Sequence, residues 1–271
     1  MSADGSQPAT ATEPLILVST TPDGIATVVL NRADRLNALS LPMWRALGEA
    51  VRELSADSSL RCLVLRGAGT RAFSPGADIA EFASVRADSE QAARYGAIMH
   101  GAAQALAACP CPVIAQIHGL CIGGGLELAA AADLRVCGSG SRFGVPVKRL
   151  GLTMAYAEMK PLIDLVGYSA ALDILFTGRL LDADEALRLG LVNHVVADDA
   201  VAETVAGVAA EIAAGAPLVA RWHKRFARKL RDGETLSDGD HAESFACFDT
   251  EDFKTGYRSF LAKQPPIFRG R

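Results

Sequence analysis

The chain has 271 residues, half of them apolar, and a formal net charge of −4 at pH 7. This length and composition allow one large core and exclude a disordered chain, and the acidic balance argues against a general nucleic-acid binder. Gly, Pro or charged residues interrupt every apolar run, so the sequence predicts no membrane span. Residues 1–13 are small, polar and aperiodic, which predicts a disordered tail rather than a signal peptide. The six cysteines stand in apolar contexts typical of reduced thiols, which favours a cytoplasmic protein.

The first part of the chain predicts alternating strands and helices. Two β-branched runs, 15–18 and 25–30, flank Thr-Pro-Asp-Gly and indicate a hairpin. Ser40 is a suitable cap for a helix that extends to about residue 55, and an apolar strand follows at 60–66. An alanine-rich helix is predicted over 89–108.

One pattern occurs twice: an apolar strand, a glycine-rich loop, and a helix start that carries an acid. In the first copy, 60–82, the loop leads to Asp78; in the second, 113–133, three consecutive glycines at 123–125 precede Glu127. Glycines let the chain turn sharply and let a ligand lie against bare main chain. The free N–H groups at a helix start favour an oxygen that gains negative charge. A carboxylate beside such amides can move protons next to a carbonyl.

The later part of the chain becomes increasingly helical. A strand is predicted at 133–137, helices at 155–166 and 168–176, a short capped helix from Asp182, and a last strand at 191–196. From about residue 199 the pattern is entirely helical. These elements predict an α/β fold with a core domain over 14–198 and a helical C-terminal region over 199–271 that serves packing or subunit contact.

Four stretches together resemble the enoyl-CoA hydratase/isomerase (crotonase) family. They are Leu36-Asn-Ala-Leu-Ser40, Phe73-Ser-Pro-Gly-Ala-Asp-Ile79, Ile117-His-Gly-Leu-Cys-Ile-Gly-Gly-Gly-Leu-Glu-Leu-Ala129 and Phe143-Gly-Val-Pro146. The resemblance extends over about 14–268 in the expected order. It implies a spiral of strand-strand-helix units with a helical C-terminal oligomerisation region, usually assembled as a homotrimer or homohexamer. It also implies an acyl-CoA thioester substrate, with no metal and no cofactor beyond the coenzyme A of the substrate.

The resemblance also assigns roles to particular residues. The main-chain amides of Ala77 and Gly124 would hold the thioester oxygen while an enolate forms, and Glu127 would act as acid and base. Phe260 and Lys263 would reach the coenzyme at a subunit boundary. The full set of residues implied to bind coenzyme A is Asn37, Ala38, Pro75, Gly76, Ala77, Asp78, Ile79, Ala80, Phe260 and Lys263.

One position departs from the family pattern. Hydratases of the family carry a second glutamate directly after the proline of Phe-Gly-x-Pro, and here that residue is Val147. Because valine cannot transfer a proton, hydration is expected to be weak unless another group substitutes, and isomerisation or another single-base enolate reaction becomes the alternative. Met154 and Tyr156 fall where the family lines the acyl pocket, and Tyr156 is the other candidate proton donor.

Several residues have a structural alternative beside the functional one. Asp78 and Asp133 are expected to be helix-end acids, and His118 to be a buried histidine under its loop. Cys109 and Cys111 with His100 lack the second ligand pair of a structural zinc site. A basic helical stripe is either a solvated face or an attraction for coenzyme A phosphates; it comprises Arg221, Lys224, Arg225, Arg228, Lys229 and Arg231.

Two classes of function therefore remain open. The first is an enzyme that stabilises an acyl-CoA enolate for isomerisation, hydration or decarboxylation. The second is a non-catalytic protein that keeps the amide pair only to bind acyl-CoA. Glu127 distinguishes them, because a binding protein has no need of it.

Overall fold

The computed structural model describes residues 13–271, which fold into two sheets surrounded by helices. Nearly all of the predicted tail, residues 1–13, lies outside the described residues. The strands are β1 (Ile16–Thr20), β2 (Ile25–Leu30), β3 (Cys62–Gly67), β4 (Ala72–Ser74), β5 (Val113–Ile117), β6 (Leu120–Ile122), β7 (Leu134–Gly138), β8 (Arg142–Gly144), β9 (Leu181–Asp182) and β10 (His194–Val196). The helices are α1 (Leu41–Ala56), α2 (Phe82–Val85), α3 (Ser89–Ala108), α4 (Gly124–Ala131), α5 (Tyr156–Val166), α6 (Tyr168–Thr177), α7 (Ala183–Arg188), α8 (Val201–Ala214), α9 (Pro217–Arg231), α10 (Asp238–Glu243) and α11 (Glu251–Ala262).

The larger sheet has six strands in the order β1-β2-β3-β5-β7-β10. The β1–β2 hairpin is antiparallel, and the other neighbours in this sheet are parallel. Every residue of β5 is buried, as expected for a parallel strand covered on both faces. The predicted α/β fold is confirmed, including the hairpin and the central strands.

The smaller sheet has four strands in the order β4-β6-β8-β9 and carries the loops of the site. Strands β4, β6 and β8 are parallel neighbours, and β9 is antiparallel to β8. The sequence analysis did not predict these strands, because two or three residues are too few to show a periodicity of two. Their shared direction brings the ends of β4 and β6 to the same edge of the sheet.

Strand β3 shows how the two cores are built. Its alternating side chains point to opposite faces, so that Leu63 and Leu65 join the main core while Cys62 and Val64 pack beneath α8. Trp44, Phe73 and Phe143 are among the largest fully buried side chains of the main core. Helix α8 thus lies against the six-stranded sheet, although its residues were predicted to belong to the C-terminal region.

The basic stripe of α9 docks this helix onto the rest of the chain. Lys224 forms an ion pair of 2.6 Å with Asp133 and donates to the Cys111 carbonyl, and Arg228 donates to the Ala107 carbonyl. Other cations of the stripe pair with acids of α10, as in the Arg225–Glu243 and Lys229–Asp240 ion pairs. The stripe is therefore largely a docking face, which neither alternative from the sequence anticipated.

Across residues 13–271, no single helix has both the length and the apolar composition required to cross a membrane; only α8 and α9 taken together, a pair bent by 105°, meet those two criteria.

Candidate active site

The two glycine loops meet where β4 and β6 end. Ser74 of β4 pairs with Cys121 of β6, so the chain leaves both strands side by side. Gly76 has φ of +97°, and a Cβ placed there would lie 3.1 Å from the Gly124 nitrogen and 2.9 Å from the Ile122 carbonyl oxygen. The two loops are therefore in direct contact, and only glycine fits at position 76.

Two main-chain N–H groups remain available at this contact. The Leu39 N–H donates to the Gly76 carbonyl, and the Leu39 carbonyl accepts from the Asp78 N–H. The N–H of Ala77, which lies between these two residues, takes no part in this pairing. Gly124 is the first residue of α4, so its N–H has no acceptor within the helix. Within residues 13–271, neither of these two N–H groups donates a hydrogen bond. The predicted amide pair is thus free to bind an external oxygen.

A cavity of about 120 Å³ lies against these loops. Gly76, Ala77, Gly124 and Glu127 line it on one side, and Val147 lines it as well. The structure therefore brings together the three residues assigned to catalysis by the resemblance. Val147 lines the cavity, as the family resemblance implied, and supplies no titratable group there.

Glu127 lies in the first turn of α4 and is only partly exposed. Burial, and after it the negative charge of Glu158, raise its pKa to about 8, against the opposing effect of the Arg86 guanidinium. Arg86 itself stacks between the rings of Phe82 and Tyr95, at 4.8 and 4.7 Å from their centroids. A pKa near 8 makes both the protonated and the deprotonated form of Glu127 accessible around neutral pH, so the group can act as an acid or as a base.

Glu158 is a second carboxylate at this site, and the sequence analysis missed it. It is the third residue of α5, and its Oε2 accepts from the Ala155 N–H at 3.0 Å. Its Oε1 lies 2.6 Å from Nε2 of His100 on α3. The side chain is 12% exposed and lines the same cavity as Glu127. A glutamate at the third position of a helix is an ordinary capping signal, and nothing in the sequence shows that it faces His100.

A second cavity, of about 320 Å³, is also lined by Glu127. It shares Met99, Glu127 and Glu158 with the first cavity and is otherwise lined mainly by small or apolar side chains from α1, α3, α4 and α5. Two polar side chains of α3, His100 and Gln104, also line it. The recess is suited to an apolar chain that starts beside the amide pair.

The prediction of Tyr156 as the other proton donor is wrong. Its side chain is 93% exposed, because it is the first residue of α5 and points away from both cavities, which it does not line. Met154 is buried, but it lines neither of these two cavities. The titratable group that this region contributes is Glu158, two residues further along.

The residues expected to bind coenzyme A divide into three groups. Pro75, Gly76, Ala77 and Ile79 line the cavity at the amide pair, and Ile79 is exposed beyond it. Asn37 is fully buried: its Nδ2 donates to the carbonyls of Ala68 and Ala72, so its predicted contact with the coenzyme is wrong and its role is to hold the loops. Ala38, Ala80, Phe260 and Lys263 are at least partly exposed but line neither cavity.

Asp78 is a structural acid, as predicted. Its Oδ1 accepts from the Ala80 N–H, and its Oδ2 forms an ion pair of 2.9 Å with Arg32. Burial favours the neutral acid, but the hydrogen bonds and charge of Arg32 outweigh it, so the pKa of Asp78 is lowered. Its contact with coenzyme A stays a prediction.

The remaining candidates lie away from the cavities. His118 is buried and its pKa is lowered, mainly by desolvation. Cys109 and Cys111 lie with their Sγ atoms 3.5 Å apart, whereas His100 contacts Glu158 instead. Asp133 accepts from the Val113 N–H, which confirms its structural role.

Comparison with known proteins identifies the family of this chain. A family model described as Enoyl-CoA hydratase/isomerase matches residues 20–271. The short-chain-enoyl-CoA hydratase of Clostridium acetobutylicum is 33% identical over 242 residues, which cover 89% of this chain and 92% of that protein. The crotonyl-CoA hydratase of Syntrophomonas wolfei is 32% identical over 246 residues, 90% of this chain and 94% of that protein.

A solved structure has the same fold. The crystal structure of an enoyl-CoA hydratase/carnithine racemase from Magnetospirillum magneticum is 48% identical, with a TM-score of 0.93, and covers 96% of this chain and 97% of that one. The chain therefore belongs to the enoyl-CoA hydratase/isomerase family of enzymes that process acyl-CoA thioesters.

Proposed function

We propose that this chain catalyses a reaction of an acyl-CoA thioester through its enolate. The Ala77 and Gly124 N–H groups bind the thioester oxygen as it becomes negative, and Glu127 transfers the proton at carbon. The observation that carries the proposal is that two free amides from touching loops and a carboxyl group with a raised pKa line one cavity. Preorganised donors of this kind contribute most where charge develops and water is excluded.

The simplest reaction for this machinery moves a double bond of an enoyl-CoA between adjacent positions. Glu127 takes a proton from the carbon beside the thioester and returns it two carbons along, so one carboxylate suffices. Hydration of a 2-enoyl-CoA is the reaction named in the relatives from Clostridium acetobutylicum and Syntrophomonas wolfei. With Val147 in place of the second glutamate, hydration requires another acid–base group.

The coenzyme part of the substrate would follow the exposed side of the same loops. We assign its binding to residues 75–80 and the loop at Ala38, with Phe260 and Lys263 contributed at a subunit boundary. Phe245, Phe260 and Leu261 expose 67%, 82% and 75% of their surfaces, which supports subunit contact through the C-terminal helices. A cytoplasmic homotrimer or homohexamer is accordingly the assembly we propose.

Exchange of the α-proton tests the proposed function directly. The purified chain is incubated with butyryl-CoA in heavy water, and with crotonyl-CoA and a 3-enoyl-CoA in parallel, and products are followed by mass spectrometry. The proposal predicts α-deuteration by the wild type and none above background by Glu127→Gln, while calorimetry shows that this variant still binds butyryl-CoA. Binding without exchange by the wild type, with every thioester, would instead identify a non-catalytic acyl-CoA-binding protein.

A further inference from the structure

Three consecutive helices bring titratable side chains to the same place. Glu127 comes from α4, Glu158 from α5 and His100 from α3, and all three line the 320 Å³ cavity. The two glutamates also line the cavity at the amide pair, as does Val147. A thioester bound by the amides would therefore have a carboxyl group from each of two helices beside its acyl chain.

The contacts of Glu158 exceed what a helix cap requires. Capping occupies only Oε2, which accepts from the Ala155 N–H. The second oxygen, Oε1, is held at 2.6 Å by His100, which fixes the plane of the carboxylate. Each oxygen keeps a further lone pair, so the carboxylate can still accept a hydrogen bond from a water molecule in the cavity.

Glu158 has a helix N-terminus and a histidine as its neighbours. It lies in the first turn of α5, where the helix dipole stabilises a carboxylate, and a His100 ring nitrogen is its neighbour. Glu127 lies in a different environment, where burial and the charge of Glu158 raise its pKa to about 8. Two carboxyl groups whose environments differ in this way can serve as a base and an acid at one pH.

We propose that Glu158, positioned by His100, is the second acid–base residue of this site and replaces the carboxylate that Val147 lacks. This inference rests on the proposed function, because it requires the amide pair and Glu127. It assigns hydration of 2-enoyl-CoA thioesters to the site, with the two carboxylates contributed by α4 and α5.

The assigned step balances without any further reactant. Glu158 accepts one proton from water as the water oxygen bonds to the β-carbon of the enoyl group. The electron pair of the C=C bond moves onto the thioester, whose oxygen becomes the enolate oxygen held by Ala77 and Gly124. Glu127 then donates its proton to the α-carbon. Return of the proton from Glu158 to Glu127, directly or across a water molecule, restores the starting state.

Glu158→Gln provides the test, because glutamine keeps an acceptor for the Ala155 N–H but cannot accept the proton of water. Two reactions are compared in the same preparations: hydration of crotonyl-CoA, and α-proton exchange of butyryl-CoA, which needs only Glu127 and the amides. We expect hydration to fall by about 10²- to 10⁴-fold and exchange to stay within a few-fold of the wild type. Glu127→Gln should abolish both reactions.

Each of the other possible outcomes contradicts either the role of Glu158 or the proposed function as a whole. Hydration by Glu158→Gln at the wild-type rate, or a wild type that exchanges protons but does not hydrate, overturns the role of Glu158 and leaves the proposed function standing. Equal losses of hydration and exchange show that Glu158 is only structural. A wild type that shows neither reaction overturns the proposed function, and this inference with it.

Glu185→Gln is a matched control. Glu185 is also the third residue of its helix, α7, where it pairs with Arg179, and it lines neither cavity at the site. This variant should keep both reactions at wild-type rates. His100→Gln serves as the readout for positioning, with hydration reduced more than exchange, since Glu158 then keeps its charge but loses its fixed plane.

Discussion

The two glycine loops share one sequence pattern, yet they place their acids in opposite electrostatic environments. Asp78, after the first loop, faces Arg32 at 2.9 Å, and its pKa is lowered. Glu127, after the second, is surrounded by protein and faces Glu158, and its pKa is raised to about 8. The loops supply the same kind of amide, but only one of the two acids can exchange a proton near neutral pH.

The difference comes from tertiary contacts rather than from the local pattern. Arg32 belongs to the segment before Leu39, whose bridge to Ala77 holds that segment against the first loop, so a cation from elsewhere in the chain faces Asp78. The second loop leads directly into a helix that packs on α3 and α5, and its acid meets apolar side chains and another carboxylate. A repeated sequence pattern therefore predicts the amides well and the role of the acid poorly.

The largest expected effect distinguishes the two acids by activity. Glu127→Gln should lower α-proton exchange of butyryl-CoA by at least about 10²- to 10⁴-fold, because it removes the group that transfers the proton. Asp78→Asn should retain exchange at least about tenfold above that of Glu127→Gln, since Asp78 forms an ion pair and a cap rather than a proton-transfer contact. Equal losses in both variants would remove the distinction drawn between the loops.

The next effect concerns the contact between the loops. Gly76→Ala should lower exchange by about 10²-fold, because its new Cβ would push against the Ile122 carbonyl and the Gly124 nitrogen and separate the two amides. Gly69→Ala is the matched control: Gly69 also has a positive φ, of +70°, but no atom lies within 4 Å of the added carbon. Both variants bear a backbone cost of about 1–2 kcal/mol. Only Gly76→Ala should lose activity beyond its loss of stability.

A third effect is on stability, and its sign follows from the raised pKa of Glu127. The folded state favours the protonated acid, so its contribution to stability is complete below pH 4.5 and is lost as pH rises through about 8. Glu127→Gln stays neutral throughout and should therefore unfold at a higher temperature than the wild type. The advantage should grow from pH 5 to pH 8, to a few kcal/mol. Thermal denaturation across this range measures it, and an advantage independent of pH would contradict the assignment.

The smallest effect is the stability contribution of Asp78, which has the opposite sign. Its lowered pKa means that the ion pair with Arg32 stabilises the fold above pH 3.8 and ceases to do so as pH falls. Asp78→Asn should cost at most about 1 kcal/mol at pH 7, because the pair is partly exposed. In chemical denaturation the difference from the wild type should shrink as pH falls below 3.8. A difference that persists in acid would point to packing instead.

Much of the fold was predictable because long strands and helices show their periodicity directly. The hairpin, the central strands and helices such as α3 and α5 lie within a few residues of their predicted positions. The short strands β4, β6 and β8 escaped prediction for the same reason, since three residues carry no periodic signal. Their presence matters here, because they align the two loops.

The site was predictable only where the local sequence determines the geometry of the functional group. Ala77, Gly124 and Glu127 follow from glycines and a helix start, and the structure places them around one cavity. Asn37 and Tyr156 were misassigned, because sequence does not show which way a side chain points. Glu158 was missed for the complementary reason, since its partner His100 lies 58 positions away in the chain.

The position of Glu127 in the lining of both cavities has a consequence for substrate length. When the amides bind the thioester oxygen, the first carbons of the acyl chain lie beside this carboxyl group, and the rest of the chain extends into the larger cavity. The position of the reacting carbons is then fixed by their distance from the bound thioester, and additional methylene groups extend only into the larger cavity. Homologous substrates of increasing length should therefore share one site of reaction and differ chiefly in how tightly they are retained.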